Sequence, residues 1–232
     1  MALMFEPTIA TVPVEGSADA MPVRRIFCVG RNYAAHAIEM GQDPKADPPF
    51  FFTKPADAVV MSGTTIPYPP MTKNFHYEAE LVVAIGQEAT SIDPASVEDV
   101  ILGFAAGIDL TRRDLQLEAR DKGRPWDFGK GFDASAPISP IRPRSHFDSV
   151  PEAGSIALTV NGETRQSADL SDMIWGVRDI VSIISGYVTL RPGDLIFTGT
   201  PENVGPLSPG DDVKCTVEGV GSVEVSIAAA ER

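Results

Sequence analysis

HYEAELVVAIG, residues 76–86, and ILGFAAGIDL, residues 101–110, are the stretches on which the fold turns. From Glu78 to Gly86 the pattern reads as a strand of mixed burial, and from Ile101 to Leu110 as an apolar strand, with a helix expected between them from Ala95 toward Val100. Upstream, VRRIFCVG (23–30) reads as a strand running into a Gly turn, and Asn32 precedes a helix-like stretch, Tyr33 to Met40, that Gly41 ends. FFFTK (50–54) reads as a strand that Pro55 limits, which puts Lys54 at a strand end.

Downstream, the charged segment 112–123 suggests a solvated helix and Trp126 to Phe132 a Gly-containing loop. IALTVNGETR (156–165) is a hairpin signal, because Asn-Gly suits the type I′ turn. A helix is expected from Asp172 to Ile184, then short strands from Gly193 to Ile227. Twenty Gly and twenty Pro punctuate the chain, favouring many short strands over long helices. The expectation is a mainly β, α+β chain: an arm or edge strand over 1–20 and one domain over 21–232.

A formal net charge of -13 repels phosphate backbones and anionic lipid, so nucleic acid is not an expected partner. The longest apolar run, Ile101 to Ile108, is under half of the roughly 20 residues a membrane helix needs. No apolar segment with a basic leader precedes Arg24 and Arg25, and Cys28 and Cys215 sit in strand-like runs as core thiols, so a reducing cytoplasm is expected. Familiar motifs fail on spacing: Gly123 to Lys130 only approximates a phosphate loop, GVGSVE lacks the third Gly of a dinucleotide fingerprint, and no GxSxG, HxxxH or CxxC is present.

What remains is a set of polar residues at strand and turn positions. Glu78 and Glu80 are two apart on a strand, so their carboxylates share a face roughly 6 to 7 Å apart. Asp109 closes the next apolar strand, where a lone carboxylate needs a partner to offset its desolvation. Three carboxylates without thiolate or obligatory imidazole describe an oxygen site for Mg²⁺ or Mn²⁺. Taken alone, such a Glu-x-Glu pair more often lines a solvent-facing strand. His36 and Glu39 are helical neighbours three apart, an arrangement in which a carboxylate can orient a general base, though a surface pair would look the same. Lys130 lies among glycines that let it approach a ligand, Arg113 and Gln116 share a helical face that can grip a carboxylate, and Thr198 and Thr200 offer hydroxyls at a turn.

GRNYAAHAIEM, FTKP, HYEAEL, GIDLTRRDLQ, GKGFD and GDLIFTGTPENVG, in this order, together resemble the fumarylacetoacetate hydrolase family over nearly all of residues 25–225. The resemblance implies a mixed β-sandwich roll with a few covering helices, in a short form similar to fumarylpyruvate and acylpyruvate hydrolases. It implies metal ligation by Glu78, Glu80 and Asp109, a catalytic dyad of His36 and Glu39 on a lid, a catalytic Lys130, and substrate contacts from Arg113, Gln116 and Thr200. Gly131 stands where many members have Ser, and Asn203 where a second Gly is common. The expected reaction is hydrolytic carbon–carbon cleavage of a small 2-oxo acid, an acylpyruvate, by a homodimer. Oxaloacetate decarboxylation and hydration or isomerisation through the same enolate are alternatives, and a non-enzymatic ligand-binding module is a more distant one. Were the acyl group fumarate, Arg112 or Arg124 would be candidates for its second carboxylate.

Overall fold

A computed structural model of the chain describes residues 4–34 and 48–230. Its largest sheet runs, edge to edge, Phe50–Lys54, Arg25–Gly30, Asp194–Phe197, Ala79–Ile85, Ile101–Ile108, Ala136–Ile138 and Val59–Met61, with Arg142–Pro143 also pairing to Ile101–Ile108. The sheet is mixed: Asp194–Phe197 lies parallel to Arg25–Gly30 and antiparallel to Ala79–Ile85. A second sheet orders Glu163–Asp169, Ser155–Val160, Asp212–Val217, Gly221–Ala228 and Thr65–Pro67. The structure is thus mostly strands with few helices: α1 (Arg113–Asp121), α2 (Asp127–Lys130) and α3 (Val177–Tyr187), plus short 3-10 turns.

Alternation along each strand sets the layers. Leu81, Val83 and Ile85 point into a large core shared with Leu158, Cys215 and Val225 of the second sheet and with Ile180 and Ile184 of α3. Val82 and Ala84 point the other way, into a smaller core with Ile26, Cys28, Val12 and Met21. The last two come from a small antiparallel pair, Thr11–Pro13 with Ala20–Pro22. The Asn161-Gly162 turn joins its two strands with both residues at positive φ, 53° and 79°, as type I′ requires.

Four local readings need correction. The Ala79–Ile85 strand is buried at every position, not mixed, because a core covers each of its faces and a strand pairs along each of its edges. Pro94–Val100 is a 3-10 turn, capped by Asp93 accepting from the Ala95 N–H. Asp127–Lys130 is a short helix rather than a loop. α3 begins at Val177, preceded by a 3-10 turn at Leu170–Asp172 with Asp169 as a capping box. The helix expected over Tyr33–Met40 lies almost wholly outside the described residues; Tyr33 itself bridges to Met173. Among the described residues no helix is long and apolar enough to cross a membrane.

Candidate active site

Strand register builds the acidic centre. Ala79 pairs with Ile108 and Glu80 with Gly107, so Glu78 falls opposite Asp109, whose N–H donates to the Glu78 carbonyl at 2.8 Å. Opposed residues in an antiparallel pair share a face, as do residues two apart on one strand. All three side chains therefore emerge together, and their carboxylate oxygens lie within 4.8 Å of one another with all three residues buried.

Three cations meet them. Lys130 Nζ lies 2.8 Å from Glu78 Oε2, 2.6 Å from Asp109 Oδ2 and 2.8 Å from Thr111 Oγ1. Burial alone would lower the Lys130 pKa, but Asp109 and Glu78 outweigh it and hold it above the usual lysine value. Arg113 donates through Nη2 to Glu78 and through Nη1 to Gln116 Oε1 at 2.5 Å. Lys54 Nζ lies 2.8 Å from Asp109 Oδ1 and donates to the carbonyls of Leu110 and Lys130. That Asp109 oxygen has an ion-pair partner but no hydrogen bond of good geometry.

Glu80 is different: it accepts from the Gly199 N–H at 2.8 Å. Burial, reinforced by Asp109 and Glu78, pushes its carboxyl well above the usual range. Gly199 has φ 97°, and a Cβ there would stand 2.7 Å from the Asn32 Cβ, so only glycine brings this N–H to Glu80. Added positive charge beside Glu80 would favour its ionised form. Three buried hard oxygen donors at a point already stabilising an ammonium suit Mg²⁺ or Mn²⁺, with Glu78, Glu80 and Asp109 as the residues able to hold it.

The surroundings fix these groups. α2 packs on α1 so closely that a Cβ on Gly129 would stand 2.8 Å from Gln116 Cα, and this contact seats Lys130 at the carboxylates. His76 accepts at Nδ1 from Arg113 Nε, 3.5 Å away, so Nε2 carries the proton donated to Asn74 Oδ1 at 2.7 Å. Burial, then Arg113, pushes the His76 pKa down to about 4. The pocket beside the carboxylates is lined by Arg113, Gln116, Lys130 and Thr200, with Phe52 and Trp126 as aromatic wall. Thr198 stays out, its hydroxyl donating to the Leu81 carbonyl at 2.9 Å. Asn203 has φ 65°, a conformation asparagine tolerates and glycine favours. His36 and Glu39 lie outside the described residues.

Two residues that the motifs did not assign are built into the site. Lys54 is one. Gln166, fully buried in the Glu163–Asp169 strand, is the other: its Oε1 accepts from the Ala79 N–H at 3.0 Å, between the two glutamates. Its Nε2 donates to Thr200 Oγ1 at 3.0 Å, the Pro201 carbonyl at 2.9 Å and the Glu202 carbonyl at 3.2 Å. Arg112 and Arg124 are not on the pocket; Arg112 stacks 4.4 Å from the Phe132 ring centre, and Arg124 lines a separate hollow with Glu118 and Phe128.

The family model described as fumarylacetoacetate (FAA) hydrolase C-terminal matches residues 25–228, and the chain belongs to the fumarylacetoacetate hydrolase family. Among its relatives, a fumarylpyruvate hydrolase from Ralstonia sp is 47% identical over 189 residues, 82% of this chain and 97% of the relative. The crystal structure of fumarylpyruvate hydrolase from Pseudomonas aeruginosa in complex with Mn²⁺ and pyruvate superposes with a TM-score of 0.95 at 47% identity, covering 98% of this chain and 100% of that one. The mitochondrial oxaloacetate tautomerase of Bos taurus is 38% identical over 204 residues, 88% of this chain and 91% of the relative.

Proposed function

We propose that the protein is a divalent-metal-dependent hydrolase that cleaves an acylpyruvate, fumarylpyruvate foremost, into a carboxylic acid and pyruvate. The observation that carries this reading is the convergence of buried Glu78, Glu80 and Asp109 at the floor of a pocket walled by Lys130, Arg113 and Gln116. The likeness to a relative named for fumarylpyruvate and to a structure holding Mn²⁺ and pyruvate supports the substrate and the ion. When bound by the three carboxylates, Mg²⁺ or Mn²⁺ supplies Lewis acidity toward the oxygens of a 2-oxo acid.

The chain's own residues do the rest. Arg113 and Gln116, bonded to one another beside Glu78, offer a guanidinium and an amide to the substrate carboxylate. Thr200, held by Gln166, adds a hydroxyl on the same wall. His36, charge-supported by Glu39, takes a proton from the water that attacks the distal carbonyl. The carbon–carbon bond then breaks, leaving its electron pair on the pyruvate fragment as an enolate. Lys130 faces that negative charge from a dry position, where a fixed cation acts far more strongly than in water. Protonation of the enolate carbon completes pyruvate, so one water is consumed per bond broken.

The test is product analysis. Purified protein with Mn²⁺ or Mg²⁺ should release equal pyruvate and fumarate from fumarylpyruvate, and His36→Ala should slow this roughly 10²- to 10⁴-fold. A second reading rests on the Bos taurus relative: tautomerisation of oxaloacetate, which needs the enolate but no attacking water. Conversion of enol-oxaloacetate to its keto form, with fumarylpyruvate left uncleaved, would replace the hydrolase reading by that one. Release of CO₂ and pyruvate from oxaloacetate would instead mean decarboxylation.

A further inference from the structure

The side chains of Arg113, Gln116 and Arg120 are spaced three and four apart on α1, so they form one column on one helix face. All three line the pocket that holds Glu78 and Glu80. Arg113 and Gln116 are each 5% exposed at its floor, whereas the Arg120 side chain is 37% exposed at its rim. At 1.5 Å per residue, Arg120 stands about 10 Å along the helix from Arg113. With the 2-oxo acid end at the carboxylates, as the acylpyruvate reading has it, the rim guanidinium stands on the side of the acyl group's far end.

The space between is flat-walled. Phe52 and Trp126 line it with ring centroids 5.7 Å apart, and Arg31, another lining residue, has its guanidinium 5.3 Å from the Phe50 ring centre. The lining sets Arg31, Arg113, Arg120 and Lys130 against Glu78 and Glu80, an excess of basic groups in a chain of net charge -13. A single carboxylate is served at the floor by Arg113 and leaves Arg120 at the rim without a substrate group to meet. Arg120 is paired only with its exposed neighbour Asp121, at 3.1 Å, among the described contacts. Such surface pairs contribute little and exchange readily for a better partner.

We propose that Arg120 recognises a carboxylate at the far end of the acyl group, which makes the preferred substrates acylpyruvates with a dicarboxylic acyl chain. This rests on the acylpyruvate reading above. Arg120 thereby takes the place that position in the sequence suggested for Arg112 or Arg124.

The test compares KM for fumarylpyruvate and acetylpyruvate in wild type, Arg120→Gln, Arg120→Lys and, as control, Arg124→Gln, all loaded with Mn²⁺. Losing a charge-assisted hydrogen bond costs on the order of tenfold in affinity or more. Arg120→Gln should therefore raise the fumarylpyruvate-to-acetylpyruvate KM ratio about tenfold, Arg120→Lys should restore part of it, and Arg124→Gln should leave the ratio unchanged. An unchanged ratio in Arg120→Gln overturns the proposal while leaving the hydrolase reading intact. If wild type cleaves neither substrate, the hydrolase reading fails, and calorimetric binding of fumarate and pyruvate decides Arg120 separately. Selective loss of fumarate binding in Arg120→Gln sustains its role, and parallel loss or no loss of both ends it.

Discussion

Replacing Gln166 with leucine removes a hydrogen-bonding group that joins the two sheets at the site while nearly preserving its volume. The wild-type amide makes four contacts, one to the Ala79 N–H and three from Nε2 to Thr200, Pro201 and Glu202. Two hydrogens on Nε2 make two bonds' worth of donation, about 1 kcal/mol net each, and the orphaned Ala79 N–H costs about 1 to 3 kcal/mol more. The expected loss is about 3 to 5 kcal/mol. Urea unfolding followed by far-UV circular dichroism should show the midpoint falling by more than about 1 M, taking a slope near 3 kcal/mol/M for a chain of this size. Gln166→Glu should fall at least as far, since its carboxylate would face two carbonyls. Both variants should also raise KM, because the Thr200 turn and the backbone between Glu78 and Glu80 lose their common tether. A Gln166→Leu midpoint within about 0.3 M of wild type, at unchanged slope, would refute this account of the residue.

Two further outcomes are expected. Glu98 is paired with Arg144 and Arg178, and the Arg144 hydrogen bond holds its carboxyl below the usual 4.5. A depressed folded pKa gives stability that is present above the unfolded value and lost as pH falls through the folded one. Glu98→Gln should therefore cost about 1 kcal/mol at pH 7, with the deficit shrinking as acidification below about pH 4.5 protonates Glu98 in the wild type; a constant deficit across that range would contradict the sign. Gly129→Ala should destabilise by about 1 to 3 kcal/mol in thermal unfolding, because its Cβ would meet Gln116 backbone at 2.8 Å. It should also lower kcat by displacing Lys130, and wild-type stability and kcat together would show that α1 and α2 separate freely.

Much of this site was legible as residue types and little of it as geometry. Asp109 could be singled out because a carboxylate ending a buried run needs a partner, but only register shows that it faces Glu78 rather than Glu80. The Glu-x-Glu pair was visible, and its full burial was not, since burial came from strands at residues 194–197 and 101–108. Lys54 was placed at its strand end, yet two of its partners are backbone carbonyls of distant residues, which leave no sequence mark. Gln166 left none either: it is one polar residue in a polar strand, set apart only by its burial opposite Leu158. Arg120 was not singled out, and Arg112 or Arg124 stood in its place, because its seven-residue offset from Arg113 takes on meaning only with the pocket wall. The expected loop over 126–132 became a helix because contact with α1 outweighs the poor helix propensity of Gly129.

In the proposed hydrolase, Glu78, Glu80 and Asp109 together hold the divalent ion on which turnover depends. Electron paramagnetic resonance titration of chelator-stripped protein with Mn²⁺ measures this without reference to substrate. One tight Mn²⁺ per chain is expected in the wild type, and at least tenfold weaker binding in Glu80→Gln and Asp109→Asn. Undiminished binding in both variants, or no stoichiometric binding in the wild type, would contradict it.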